Sequence, residues 1–190
     1  MVFLFQPFFA SLSLMLVITS LENAEAAYAA HRPSTVISLL SEDEEAPRFD
    51  GLATHDHVVL YMDEESCAAA ISRAAQARAN DLLKFINQWD AKGSLLIHCN
   101  RGVARSGAAA FIILCALDPD ADEAEILARL RKAAPHIDPC PLFVSYADAA
   151  LAREGRMLDA VEDLGPPTPA LSAPTAFLPL THPMAERADA

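Results

Sequence analysis

Leu95-Leu96-Ile97-His98-Cys99-Asn100-Arg101-Gly102-Val103-Ala104-Arg105-Ser106-Gly107 is the stretch on which the reading of this chain turns. A short apolar run stops at His98, a cysteine follows, and an alanine-rich apolar run resumes after Gly107 through Leu117. The short run suits a buried strand and the longer one a helix. Cys99 then falls in the turn between them. A turn entering a helix can aim successive backbone N–H groups at one point, and the helix N-terminus adds partial positive charge. Such a concavity favours a phosphate-like anion and holds a cysteine in its nucleophilic thiolate form.

Outward from this stretch the chain alternates. Upstream, Thr35–Leu40 and residues 57–62 are apolar runs of strand length. Between them lie an acidic loop at residues 41–45, read as solvated, and an Asp50-Gly51 turn. Residues 67–90 form a long helix in which Ile71, Ala75, Leu82, Ile86 and Trp89 share a face. Downstream, a helix over about 121–134 begins with Asp122, Glu123 and Glu125 and ends with Arg129, Arg131 and Lys132, as its macrodipole favours. Asp138-Pro139-Cys140-Pro141 is a rigid connection, and a last helix is expected over about 142–161.

The apolar N-terminus, residues 2–18, invites a secretory reading, with Ala24-Glu25-Ala26 as the cleavage site. The first basic side chains, however, are His31 and Arg32, so the positive n-region is missing. Gln6 and Pro7 interrupt the run, which argues against a membrane span. The alternative is a buried strand near 13–19 and a helix after Ser20, with Glu22 and Glu25 early, His31 and Arg32 late, and Pro33 as its stop. Cleavage after Ala26 would cut that helix in two, which favours the structural reading. From Gly165 onward, prolines at 166, 167, 169, 174, 179 and 183 lie among Ala, Ser and Thr. The expected organisation is an N-terminal extension (1–11), one domain (12–162) and a Pro-rich flexible tail (163–190). The fold class is α/β, a largely parallel central sheet flanked by helices, with helices dominating the C-terminal half. The cysteine loop then lies outside the carboxyl end of a strand, where ligands bind in such sheets.

Composition narrows the function. The 190 residues suffice for one domain, and 53% hydrophobic content supports a sizeable core. A net charge of -12 lacks the basic footprint of a nucleic-acid binder and repels anionic membranes. An enzyme for phosphorylated substrates must therefore build a local positive site, for which Arg101 and Arg105 are the candidates. Cys67, Cys99, Cys115 and Cys140 show neither a paired zinc spacing nor a small disulfide framework. Cys115, in an apolar helical run, reads as a buried small hydrophobe. Cys67 and Cys140 read as incidental, with a resolving role toward an oxidised Cys99 as the alternative.

His98-Cys99-x5-Arg105-Ser106 resembles the active-site loop of the cysteine-dependent protein tyrosine and dual-specificity phosphatases. By residue frequencies the full string arises by chance in fewer than about one chain in ten thousand. The resemblance covers about residues 12–161, and implies a tyrosine-phosphatase-like fold. Ala134-Pro135 and Gly155-Arg156-Met157 are similar to segments of compact bacterial tyrosine-phosphatase-like proteins. The loop interior departs from the family, which leaves substrate preference open.

On this resemblance Cys99 attacks phosphorus and carries a phosphoryl group. Arg105 holds two phosphate oxygens with its planar fork, a geometry lysine cannot supply. Ser106 assists departure of the thiolate. His98 orients the loop, Gly102 lets the backbone turn with its N–H inward, and Asn100, Arg101, Val103 and Ala104 contribute backbone N–H groups. Arg101 is also placed to meet substrate at the rim. A general acid must protonate the departing oxygen. The family implies an aspartate a few tens of residues upstream, after a strand; Asp63, 36 residues before Cys99, fits, and the adjacent Glu64 is the alternative. No metal or cofactor is required, because Arg105 and the loop N–H groups supply the electrostatic stabilisation. The expected substrate is a phosphorylated protein or a small phosphomonoester, with no nucleic acid and no membrane insertion. The expected location is the cytoplasm, or outside it if the apolar N-terminus is a signal peptide. The rival readings are a pseudophosphatase that binds phosphorylated ligands without turnover, an inositol-phosphate phosphatase, and sulfur or arsenate chemistry on a similar loop.

Overall fold

The computed structural model describes residues 14–62 and 72–180. Within these, five strands and six helices are arranged as β1 (Met15–Ser20), α1 (Leu21–His31), β2 (Thr35–Leu40), β3 (His57–Tyr61), α2 (Ser72–Gln88), β4 (Leu95–Cys99), α3 (Arg105–Leu117), α4 (Glu123–Ala133), α5 (Pro141–Ala150), α6 (Arg156–Asp163) and β5 (Ala176–Pro179). The sheet order is β3-β2-β4-β1-β5. The first four strands are parallel, and β5 runs antiparallel along β1.

The three inner strands are continuous apolar runs because both faces of the sheet are covered. Side chains alternate between two cores. Leu16, Ile18, Ile37, Leu39, Leu95, Ile97 and Cys99 face one side with residues of α2 to α6, while Val17, Val36 and Leu96 face the other with Tyr28 and Phe49. The two-residue period of a strand thus sends Cys99 and His98 to opposite faces. On α2, Ala75, Leu82 and Ile86 are buried as their spacing predicts. The sequence expectation of a strand near 13–19 followed by a helix is met by β1 and α1. Because β1 lies between β4 and β5, cleavage after Ala26 would remove an inner strand. Residues 1–11, read as an extension, lie outside the described residues.

Three expectations are corrected. The helix expected over 142–161 is two helices, α5 and α6. Between them Ala152, Glu154 and Gly155 adopt positive φ (54°, 56° and 90°). The break is held by Asp148, whose carboxylate accepts from the N–H groups of Gly155 (2.8 Å) and Met157 (2.9 Å). Arg153, in the break, is buried and paired with Glu123 at 2.8 Å.

The Pro-rich segment is not a loose tail over its described length. Thr168 N–H donates to Pro135 O (2.9 Å), Ala173 N–H donates to Arg101 O (2.9 Å), and β5 pairs with β1. Prolines among Ala, Ser and Thr suggest a flexible chain, but extended proline-rich backbone can lie along a surface that supplies its hydrogen-bond partners.

Cys140 is not incidental: it is buried and disulfide-bonded. Cys67 lies outside the described residues. Cys115 is a free, buried thiol whose pKa burial pushes up to about 12, as a core cysteine should be.

Candidate active site

Residues 99–105 link the end of β4 to α3. Cys99, the last residue of β4, is buried, and so are Arg105 and Ser106 at the start of α3. The Gly102 N–H donates to Cys99 Sγ at 3.2 Å, and Ser106 Oγ lies 3.3 Å from the same sulfur. Both polar contacts point at the sulfur from the loop that surrounds it.

The loop curls because its carbonyls are held from outside. Asn100 O accepts from Leu21 N–H at the start of α1, and Arg101 O accepts from Ala173 N–H. Val103 O accepts from Asp138 N–H, and Ala104 O accepts from the N–H groups of Cys140 and Ala108. With these carbonyls directed outward, the loop can turn peptide N–H groups toward the sulfur. Gly102 is required for two reasons. Its φ is +73°, and an added Cβ would come within 2.8 Å of Ala173 Cβ and Ser20 N.

Arg105 does not point into solvent. Its Nη1 donates to Met62 O at 2.8 Å and to Ser41 Oγ at 3.2 Å, and lies 3.6 Å from Glu44 Oε2. These bonds tie the loop to the ends of β2 and β3, the carboxyl edge of the sheet. Glu44 accepts from the Ser41 N–H at 2.7 Å and from the Asn100 side-chain amide. A carboxylate therefore stands beside the guanidinium, bridging two residues of the loop.

The sequence-predicted loop residues run from the end of β4 to the start of α3. Cys99, Gly102 and Ser106 are brought together at the sulfur, while the Arg105 guanidinium is held by Met62 and Ser41. The Arg101 guanidinium donates to the carbonyls of Ala170 (3.2 Å) and Leu171 (3.4 Å), in the segment after α6. The Asn100 side chain is engaged by Glu44. Val103 and Ala104 join the loop to residues 138–140 through their carbonyls. Asp63 and Glu64 lie outside the described residues. Met62, the residue before Asp63, is bonded to Arg105.

His98 is fully buried on the opposite face. Its Nε2 lies 2.6 Å from Ser38 Oγ, and the same hydroxyl lies 2.8 Å from His57 Nε2. Burial, followed by the charges of His57 and Arg105, lowers the His98 pKa to about 3, so the ring is neutral at physiological pH.

Sequence reasoning missed Glu44, Ser38 and His57. Glu44 was absorbed into an acidic loop read as solvated. The usable signal was its place just after a parallel strand, at the sheet edge where ligands bind. Ser38 and His57 gave no signal beyond being polar residues inside apolar runs.

No family model matches the sequence, and no curated protein matches it. Solved structures do. Human DUSP28 is 19% identical with a TM-score of 0.51, the match covering 73% of this chain and 94% of that one. DUSP15 is 14% identical with a TM-score of 0.55, covering 79% and 92%. PTPMT1 in complex with PI(5)P is 13% identical with a TM-score of 0.52, covering 73% and 94%. At these identities the likeness is one of architecture. The five-stranded sheet and the cysteine turn at its carboxyl edge give this chain the fold of the cysteine-dependent dual-specificity and tyrosine phosphatases.

Proposed function

We propose that the protein is a cysteine-dependent phosphomonoester hydrolase of the protein tyrosine or dual-specificity type. The observation that carries this reading is the curl of the loop. Carbonyls of Asn100, Arg101, Val103 and Ala104 are bonded outward while Gly102 N–H and Ser106 Oγ address the Cys99 sulfur. This is an anion cradle built around a nucleophile.

In the first step Cys99 Sγ attacks phosphorus. The S–P bond forms, the ester P–O bond breaks, and the leaving oxygen takes a proton from a general acid. In the second step water attacks phosphorus and gives its proton to the carboxylate left by the general acid, which is thereby restored; the S–P bond breaks, phosphate leaves, and Ser106 donates a hydrogen bond to the departing thiolate. Arg105 and the loop N–H groups stabilise the equatorial oxygens in both steps. Asp63 is the proposed acid, with Glu64 as its alternative. The bond from Arg105 to Met62 O supports Asp63, because it anchors the adjoining residue to the cradle.

The substrate is proposed to be a phosphorylated protein or small phosphomonoester. Arg101, engaged by residues 170 and 171, adds nothing to the case for a polyphosphorylated inositol. Among the described residues no helix is long and apolar enough to cross a membrane. The cytoplasm is the proposed location, with export as the alternative; cleavage after Ala26 would remove β1 and the Leu21 N–H that holds Asn100 O.

The decisive experiment is hydrolysis of an aryl phosphate by the purified protein, with Cys99→Ser as control, followed by a panel of phosphotyrosine, phosphoserine, inositol phosphate and nucleotide esters. Turnover that Cys99→Ser abolishes supports the enzyme. Phosphate binding without turnover would establish the pseudophosphatase instead. Asp63→Asn and Glu64→Gln assign the acid by which of them slows esters with poor leaving groups.

A further inference from the structure

A chain of hydrogen bonds crosses the sheet just behind the nucleophile. His57 on β3, Ser38 on β2 and His98 on β4 lie on one face, joined at 2.8 Å and 2.6 Å through the single Ser38 hydroxyl. His98 is covalently next to Cys99. Phe49 closes the chain from outside, its ring 5.0 Å from His57 and 6.2 Å from His98, and Tyr28 of α1 stacks behind it at 5.0 Å.

A hydroxyl has one proton to donate. Ser38 therefore cannot donate to both imidazoles, and with its proton given to one of them the chain has two polarities. In one, His98 Nε2–H donates to Ser38, and Ser38 donates to a bare His57 Nε2. In the other, His57 Nε2–H donates to Ser38, and Ser38 donates to a bare His98 Nε2, so the His98 proton moves to Nδ1. His98 Nδ1 is buried and has no hydrogen-bond partner. The first polarity leaves an unmatched lone pair there, and the second leaves an unmatched N–H. Buried orphan donors are the rarer defect in folded proteins. Neutral His57 thus favours the first polarity. A protonated His57 has no lone pair at Nε2 and rules the first out; the Ser38 hydroxyl, which among the described residues bonds only the two imidazoles, then keeps its own proton bonded by giving it to His98 Nε2, the second polarity.

We propose that His57 is a positioning residue that sets, through Ser38, which nitrogen of His98 carries the proton, and so couples the hydrogen bonding beside Cys99 to pH. Burial lowers the His57 pKa below the usual 6.5, so the reversal falls on the acid side of neutrality. The groups around it are few. β2 offers no titratable side chain over Thr35–Leu40. β4 offers His98, with Arg105 acting on it from the loop side. Tyr28 lies beyond Phe49, which Arg48 and Asp50 flank in sequence, and His55 and Asp56 precede His57, paired with each other at 3.5 Å. Its consequence for turnover rests on the phosphatase reading; the proton arrangement does not.

The test is nitrogen NMR on the full chain labelled at histidine, from pH 8 to pH 5. In the wild type, His98 should carry its proton on Nε2 at pH 8 and on Nδ1 below the His57 titration, while remaining neutral. In Ser38→Ala and in His57→Phe the His98 tautomer should no longer change with pH. Phosphatase assays over the same range should show an acidic step in kcat/KM that His57→Gln, which keeps a hydrogen-bonding side chain, lacks. A His98 tautomer that is constant across the wild-type titration overturns the proposal, as does an unchanged pH response in Ser38→Ala. Because the NMR result needs no turnover, an inactive protein would refute the enzyme reading and leave this one intact.

Discussion

Arg105 and Met62 are joined by a 2.8 Å hydrogen bond from guanidinium Nη1 to carbonyl oxygen, which fastens the cradle to the end of β3. The side chain proposed to grip phosphate is thereby pre-set by the strand leading to the proposed acid. Lysine carries the charge but not the planar fork. Arg105→Lys should lower kcat/KM on an aryl phosphate by about 100-fold or more, the scale of losing one oriented donor to a developing oxyanion. Steady-state kinetics on the folded variant check this.

Glu44 competes with what it helps to build. Its carboxylate lies 3.6 Å from Arg105 Nη1 and binds the Asn100 amide. Removing the charge with Glu44→Gln should tighten inorganic phosphate as a competitive inhibitor by about three- to tenfold, roughly 0.7–1.4 kcal/mol. The same change should lower kcat, because Arg105 loses a partner that orients it. Inhibition constants and turnover measured together separate the two effects.

The segment after α6 should matter for stability. Truncation after Leu164 would strip β5 from β1 and leave Arg101 O without the Ala173 N–H. A flexible tail would be dispensable; this one should not be. The truncated chain should melt at a lower temperature and lose activity more than stability alone explains, since the cradle loses one of its outer supports. Thermal denaturation with parallel assays tests it.

The buried pair Glu123–Arg153 predicts an acid sensitivity. Burial alone would raise the Glu123 pKa, but backbone N–H groups and the guanidinium groups of Arg156 and Arg153 outweigh it and hold the carboxyl below its usual range. A depressed folded pKa adds stability above the unfolded value, about 4.3, which is lost as pH falls through the folded value. Glu123→Gln leaves Arg153 buried without its counter-charge. It should cost about 3–5 kcal/mol at pH 7 and flatten the stability profile between pH 5 and pH 3. Urea unfolding at several pH values measures both.

Much of the scaffold was legible because strand and helix periods are local signals. Thr35–Leu40 reads as a strand from its own letters, and the cysteine string stands out because several residue types must coincide. What escaped depends on partners far away in sequence. The break between α5 and α6 is made by the Asp148 side chain reaching forward to Gly155 and Met157, and no periodicity announces it. The order in residues 165–180 comes from partners such as Pro135 and Arg101, so composition could not reveal it. Glu44 looked like one of several solvated acids because charge patterning cannot tell which carboxylate meets an arginine.

The outward-held carbonyls of the loop have a last implication. Their donors are Leu21, Asp138, Cys140 and Ala173 as well as Ala108 on α3, and the four outside α3 run from the start of α1 to the segment just before β5. None of these four belongs to the recognisable string, and each acts on the loop through its backbone N–H, although at Cys140 and Ala173 burial constrains the side chain as well. The shape of the cysteine turn is thus stored outside the motif that advertises it. Grafting residues 98–107 onto another strand–helix junction would transfer the label without the cradle, whereas distant relatives could share the cradle while their supporting residues diverge beyond alignment.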